Sequence, residues 1–411
     1  MKNILVVDDS ALMRRVISDI IKTDKRLNVS DFANNGLQAY EMLKVNAGKY
    51  DLMLLDVNMP KMSGLELLEK MQDDKINLRT IMVSTSVKEG ARETIRALEL
   101  GAFDFVTKPE DYVGVKEDKF KVRLLSTVCT AFNMEPADEI QDAIMGRTKT
   151  APSPSRPSGV SSILGAGRST TETSTAENVN AAKSVSKPSV HVSMGYVSVR
   201  PPKDVKFATK PKYKGSKVGI KKLVAMASST GGPKSLQSVI PKLPANLDAP
   251  VLLVQHMPKG FTASFAQRLD ELSAIKVSEA AEGDIIEKGH VYIAPGGKQM
   301  RLVKSAAGYA IKLSDEGARE GLNPCANIMY ESLIGTDFDE ITCAVFTGMG
   351  TDGTMGIGML GERNSVYVIS QDEATCVVYG MPKAVADAKL SDEVKPLESI
   401  AESITRNVGV R

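Results

Sequence analysis

The chain has 411 residues, enough for two or three domains, and sets 52 basic against 50 acidic side chains for a net charge of +2. That balance, with no basic stripe interleaved with aromatics, argues against nucleic acid as a partner. No apolar run approaches the roughly 18 residues a membrane span needs, and the opening MKNILVVDDS ends its short apolar run in acids rather than in a signal-peptide layout, so a cytoplasmic protein is expected.

In chain order, the first half alternates the apolar runs KNILVVDD, YDLMLLD, RTIMVST and AFDFVTKP with helix-period stretches at 10–21, 36–45, 64–71 and 90–100. Near-continuous apolar strands alternating with helices predict a parallel sheet covered on both faces. Polar residues at the carboxyl ends of such strands converge on one crevice. Here those residues are Asp8, Asp9, Asp56, Ser84 and Lys108.

Three carboxylates in one small space repel unless a hard cation lies between them, and Mg²⁺ held by Asp8, Asp9 and Asp56 fits that need. The metal neutralises charge as a phosphoryl group passes to Asp56, and Lys108 pairs with the new phosphate. Ser84 then hydrogen-bonds a phosphate oxygen, and Phe105 transmits the movement. One acid at a strand end is ordinarily a solvated loop residue; five such positions at these spacings describe a site that makes and reads an acyl phosphate. Over residues 1–134 the chain resembles the receiver domain of two-component response regulators, with a flavodoxin-like sheet. The resemblance implies that Asp56 is the phosphorylation site and that a histidine kinase is the donor.

After the helical segment DKFKVRLLSTVCTAF the composition turns to Ser, Thr, Pro, Ala and Lys, and residues 135–217 carry no helical or strand period. Such a stretch cannot bury enough apolar surface to offset its ordering entropy and is expected to be a flexible linker. A second ordered region, 218–411, again alternates apolar strands (KLVAMA, PVLLVQ, HVYIAP, ITCAVFT, SVYVIS) with helices, predicting a second, Rossmann-like, doubly wound α/β domain with a mainly parallel sheet. The four cysteines, Cys129, Cys325, Cys343 and Cys376, lack metal-ligand spacing and read as reduced, mostly buried thiols.

The strand KLVAMA runs into Ser228-Ser229-Thr230-Gly231-Gly232-Pro233, a strand-to-helix turn of small residues where backbone approaches a ligand closely and developing negative charge is favoured. A serine there needs a base. Of the three histidines, His191 lies in the linker and His290 opens the strand HVYIAP, where a structural role is as good a reading. His256 ends PVLLVQ at the same edge as the serine and is the better base. Asp352, between glycines after ITCAVFT, completes a nucleophile, base and orienting carboxylate drawn from three strand ends. Taken singly these are a helix cap, a packing histidine and a turn; together they point to acyl transfer. Two adjacent serines leave open which one reacts. Gly348-x-Gly350-x-x-Gly353 also fits a dinucleotide fingerprint, but Asp352 would repel the pyrophosphate and the unit is penultimate in its domain, not first.

With STGGP, VQHMPKGFTASFAQRL, EGDIIEKGHVYIAPGG, FTGMGTDG and QDEATCVVYGMPKAV in place, residues 219–404 resemble the catalytic domain of the chemotaxis protein-glutamate methylesterases, the CheB family. The resemblance implies that Ser229 is the nucleophile, His256 the base and Asp352 its partner, with the Met349 amide in the oxyanion hole and Thr230 assisting. It further implies hydrolysis of glutamate γ-methyl esters on chemoreceptors (methyl-accepting chemotaxis proteins), glutamine deamidation at the same sites, and no cofactor for the esterase step. It implies as well that the unphosphorylated receiver covers the cleft. The chain departs from the family pattern at Ala227-Ser228, where Gly-Ala is usual, and at Gln299 and Asn327, where His and Asp are common; these departures are expected to bear on substrate fit and rate. The alternative is a non-catalytic, phosphorylation-switched binding protein, against which the intact Ser229, His256 and Asp352 argue. A transcriptional regulator would need a basic recognition helix, and none is apparent.

Overall fold

The structure, a computed structural model, describes residues 1–85, 88–109, 118–140 and 221–411. The expected linker lies outside the described residues except for 135–140, and so does His191. The expected domain limits at 134 and 218 therefore stay expectations.

The first sheet is built from β1 (Lys2–Val7), β2 (Leu27–Ala33), β3 (Leu52–Asp56), β4 (Thr80–Ser84) and β5 (Asp104–Thr107), all parallel in the order β2-β1-β3-β4-β5. The helices α1 (Ala11–Ile21), α2 (Gly36–Asn46), α3 (Gly64–Asp73), α4 (Lys88–Glu99) and α5 (Asp118–Ala131) follow the strands. Local sequence starts them: Ser10 and Asn35 cap α1 and α2, and Ser63 with Glu66 forms a reciprocal capping box on α3. Every residue of β3 and β4 is buried, which is why they read as continuous apolar runs. β2 is the strand the apolar pattern missed. It lies at the sheet edge and buries fully just its two end residues, so LNVSDFA carries no long apolar run.

The second sheet uses β6 (Lys222–Ser228), β7 (Val251–Gln255), β8 (Lys276–Glu279), β9 (His290–Ile293), β12 (Glu340–Val345), β13 (Val366–Gln371) and β14 (Glu393–Lys395) in the order β14-β13-β12-β6-β7-β9-β8. All of these pairs are parallel. Beside it β10 (Gln299–Ser305) and β11 (Gly308–Ser314) form an antiparallel hairpin, the one antiparallel pair among the named strands. The helices are α6 (Gly232–Val239), α7 (Phe261–Leu272), α8 (Ala326–Ser332), α9 (Thr354–Gly361), α10 (Met381–Asp387) and α11 (Leu397–Val408). β8 and β14, the short polar edge strands, escaped the sequence pattern for the same reason as β2.

Both sheets reverse their winding at one point: between β1 and β3 in the first, and between β6 and β12 in the second. Ligand sites of open α/β sheets form outside the carboxyl ends of strands at such points. The two halves also pack on one another. α4 lies against α6 and α7, and Phe105 of β5 stacks on Phe261 of α7 with ring centroids 4.6 Å apart.

Candidate active site

At the first switch point, Lys108 Nζ lies 2.8 Å from Asp8 Oδ2 and 2.7 Å from Asp56 Oδ2. Carboxylate oxygens of Asp8, Asp9 and Asp56 all come within 4.8 Å of one another, an oxygen donor set of the kind a hard divalent cation takes. Burial pushes the Asp56 carboxyl up to about 6, with Lys108 pulling it back and Asp8 adding to the rise. Burial works to lower Lys108 as well, but Asp56 and Asp8 outweigh it and hold the ammonium above its ordinary value. Ser84 is buried at the end of β4 and turned toward α4: it receives a 2.8 Å hydrogen bond from Thr94 Oγ1 and lies 3.4 Å from the Gly90 carbonyl. The structure thus brings together Asp8, Asp9, Asp56 and Lys108, and seats Ser84 and Phe105 on the way to the second half.

At the second switch point the parallel register pairs Ser228 with Gln255, so Ser229 and His256 follow side by side at the ends of β6 and β7, joined by His256 N–H to Ser228 O at 3.0 Å. The two serines separate clearly. Ser228 is fully buried and donates to Gln255 Oε1 at 2.6 Å. Ser229 retains 7% exposure, and its Oγ has no hydrogen-bond partner among the described residues. Its amide is fixed to Thr347 O at 3.1 Å. Gly348 lies so close that a Cβ there would fall 2.8 Å from Ser229 Cβ.

His256 Nε2 is 2.8 Å from Asp352 Oδ2, which leaves Nδ1 as the ring nitrogen able to take a proton. Asp352 is buried among donors: the amides of Ala326 (2.6 Å), Asn327 (2.9 Å) and Gly353 (2.9 Å), and the Cys325 thiol at 3.2 Å. Burial alone would raise this carboxyl, but the His256 contact and the amide hydrogen bonds outweigh it and hold Asp352 below its usual range. Burial raises the Cys325 thiol strongly, so it stays a neutral donor. His290 lies at the opposite edge, buried, 2.8 Å from Ser278 Oγ, and it takes no part in the site. Gln299 and Asn327 are enclosed beside the Asp352 turn.

The receiver-like half reaches directly into this site. Thr230 Oγ1 donates to Asp104 Oδ2 at 2.7 Å, in a buried contact, and Thr130 Oγ1 of α5 lies 2.8 Å from Met349 Sδ. Around these contacts, Arg268 of α7 grips Glu99 through Nε at 2.6 Å and Nη2 at 3.3 Å, and Arg92 donates to Gln267 at 2.8 Å. Sequence reasoning did not single out Asp104, Glu99, Thr130 or Arg268. Asp104 alone left a trace: an acid inside the apolar run AFDFVT needs a partner when buried.

The family model for CheB methylesterase matches residues 224–404, and that for the response regulator receiver domain matches residues 4–117. A protein-glutamate methylesterase/protein-glutamine glutaminase of Bacillus subtilis is 38% identical over 408 residues, spanning 98% of both chains. One of the same description from Pyrococcus abyssi is 37% identical over 405 residues, 98% of this chain and 93% of the other. With its two switch-point sites on one polypeptide and this likeness running end to end, the chain belongs to the CheB family of receiver-linked protein-glutamate methylesterases.

Proposed function

We propose that this chain hydrolyses glutamate γ-methyl esters on chemoreceptors, deamidates glutamines there, and is activated by phosphorylation at Asp56. The observation that carries the reading is that Ser229, whose hydroxyl has no hydrogen-bond partner among the described residues, stands at the strand end next to that of His256, which is already paired to a buried Asp352. Ser229 Oγ attacks the ester carbonyl carbon as His256 Nδ1 takes its proton. Asp352 stabilises the imidazolium that forms. The tetrahedral oxyanion is held by backbone N–H groups, that of Met349 among them, with Thr230 assisting. Collapse breaks the bond to the methoxy oxygen, which leaves as methanol with the proton from His256. Water then attacks the acyl-enzyme, gives a proton to His256, and releases the γ-carboxylate as Ser229 regains its proton. In deamidation ammonia leaves in place of methanol. This step calls on no cofactor.

Asp8, Asp9 and Asp56 would hold Mg²⁺, which when bound neutralises charge during phosphoryl transfer to Asp56. Lys108 pairs with the phosphate, and a histidine kinase of the pathway is the donor. The two residues assigned to the oxyanion side are both touched by the receiver half: Asp104 accepts from the Thr230 hydroxyl, and Thr130 packs on the side-chain sulfur of Met349, whose amide is the assigned group. That supports inhibition by the docked receiver, with Ser84 and Phe105 as the route by which phosphorylation loosens the Phe105–Phe261 stack. The proposed action is from the cytoplasm on the receptors' signalling region; among the described residues no helix is long and apolar enough to cross a membrane.

The test is methanol release from methylated receptor membranes by the full chain, with and without a small-molecule phosphodonor. Stimulated release that disappears in Ser229→Ala is the expected result. Release by Ser229→Ala at the parent rate would overturn the assignment of the nucleophile.

A further inference from the structure

Asn327 is 2% exposed, follows the cis Asn323–Pro324 loop, and sits in the first turn of α8. Its backbone N–H donates to Asp352 Oδ1 at 2.9 Å, while its side-chain Oδ1 accepts from Gly353 N–H at 3.0 Å and Gly356 N–H at 2.8 Å. One residue therefore holds the Asp352 carboxylate with its main chain and the loop that carries Asp352 with its side chain. Gln299, fully buried in β10, fixes the other end of the same segment. Its Oε1 accepts from Cys325 N–H at 2.8 Å, and its Nε2 donates to Leu322 O at 3.0 Å.

From this geometry we infer that Asn327 is a positioning residue for the reaction: it locks the Asp352 turn to α8 so that Oδ2 meets His256 Nε2, with Gln299 anchoring α8 from behind. The inference rests on the reading of Asp352 as the partner of His256. Its physical basis is that Asp352 is enclosed and receives its stabilisation from amides that α8 and the Gly353 turn supply. Without the Asn327 side chain the Gly356 amide loses its acceptor and the Gly353 amide keeps Asp352 Oδ1 alone, so the side-chain link between the turn and α8 is gone and the turn is free to shift. Orientation at a catalytic pair is steep in distance, and a displacement of about 1 Å costs on the order of 10²-fold in rate. Asn327 touches neither Ser229 nor His256 through any recorded hydrogen bond, so its loss should lower turnover and leave substrate binding alone.

The experiment compares Asn327→Leu, Asn327→Ala and Asn327→Asp in the full, phosphodonor-activated chain, with methylated receptor membranes as substrate, and Asp352→Ala as reference. Leu and Ala remove the acceptor; Asp keeps an oxygen in the same place and serves as the rescue. We expect kcat to fall about 10²-fold in the first two with KM within about twofold of the parent, and Asn327→Asp to recover to within about threefold. Thermal unfolding identifies the variants that fold. If Asn327→Leu does not, Asn327→Ala and Asn327→Asp decide the matter. A folded Ala or Leu variant with parental kcat overturns the inference while Asp352→Ala remains impaired, and so does an Asn327→Asp variant no better than Leu. If Asp352→Ala itself keeps the parental kcat, the reading of the triad fails and the positioning role goes with it.

Discussion

Removing the Arg268 side chain should raise the resting activity of this chain and leave its activated rate alone. Arg268 reaches Glu99 across the interface by two nitrogens, at 2.6 and 3.3 Å, with side-chain exposures of 35% and 12%. A forked pair of this kind, partly open to water, stands at the upper end of surface ion pairs, about 1 kcal/mol. Glu99 keeps a second partner, Arg96 Nη1 at 2.7 Å, and the long, exposed Arg268–Glu271 pair within α7 is worth little, so the main effect of Arg268→Ala falls on docking. If the resting chain is mostly closed, its rate is the small open fraction multiplied by the activated rate. Weakening the closed state by about 1 kcal/mol then multiplies resting methanol release about fivefold. The activated rate, already that of the open form, does not change. Salt supplies an independent check, because screening tightens from about 8 Å at physiological ionic strength to about 3 Å at 1 M. Resting release should climb with salt in the parent and much less in Arg268→Ala. Glu99→Gln should mimic the arginine variant, and the double variant should add little, since both remove one interaction. An unchanged resting rate in both single variants, or an equal rise in the activated rate, would refute the latch.

Further expectations concern the serines, the metal, the tight turn and acidity. Ser228→Ala should keep most of the turnover while losing about 1 kcal/mol of stability in denaturant titration, because Gln255 Oε1 loses its 2.6 Å donor. Chelating divalent cations should abolish the stimulation by phosphodonor and spare the resting methanol release, which separates the Asp8, Asp9 and Asp56 cluster from the esterase step. Gly348→Ala should cut turnover and cost about 1–3 kcal/mol, since its new Cβ would fall 2.8 Å from Ser229 Cβ and 2.5 Å from Met381 Sδ; parental kinetics would show that the turn can yield. Burial works to raise the Glu99 carboxyl, but Arg268 and Arg96 outweigh it and hold it below the usual range. Docking then lowers the value, so the latch is at full strength above the ordinary glutamate value of about 4.3 and fades as pH falls through the lower docked value. X-ray scattering should record expansion of the parent on acidification, and less change in Glu99→Gln.

What the sequence makes legible is what depends on strand ends. Asp56, Ser84, Ser229, His256 and Asp352 follow apolar runs long enough to identify as buried strands, and parallel sheets gather their carboxyl ends without further instruction. β2, β8 and β14 escape because an edge strand need not be apolar on both faces. The interface escapes for a different reason. Glu99, Arg268 and Gln267 are ordinary helix-surface residues by type, and nothing local distinguishes a charge that faces water from one that faces a domain lying 169 positions away in the chain. Asn327 and Gln299 stood out as departures from the family pattern, yet their chemistry is set by amides of the Gly353 turn and of α8, which no linear pattern brings together. Asp104 shows where the boundary lies. Its place in an apolar strand requires a buried partner, and the fold alone identifies its side-chain partner as Thr230, the neighbour of Ser229. On the proposed reading, a carboxylate with a structural obligation thereby engages a residue assigned to assist the esterase, and the resting state draws on the need of one buried carboxylate for a side-chain donor.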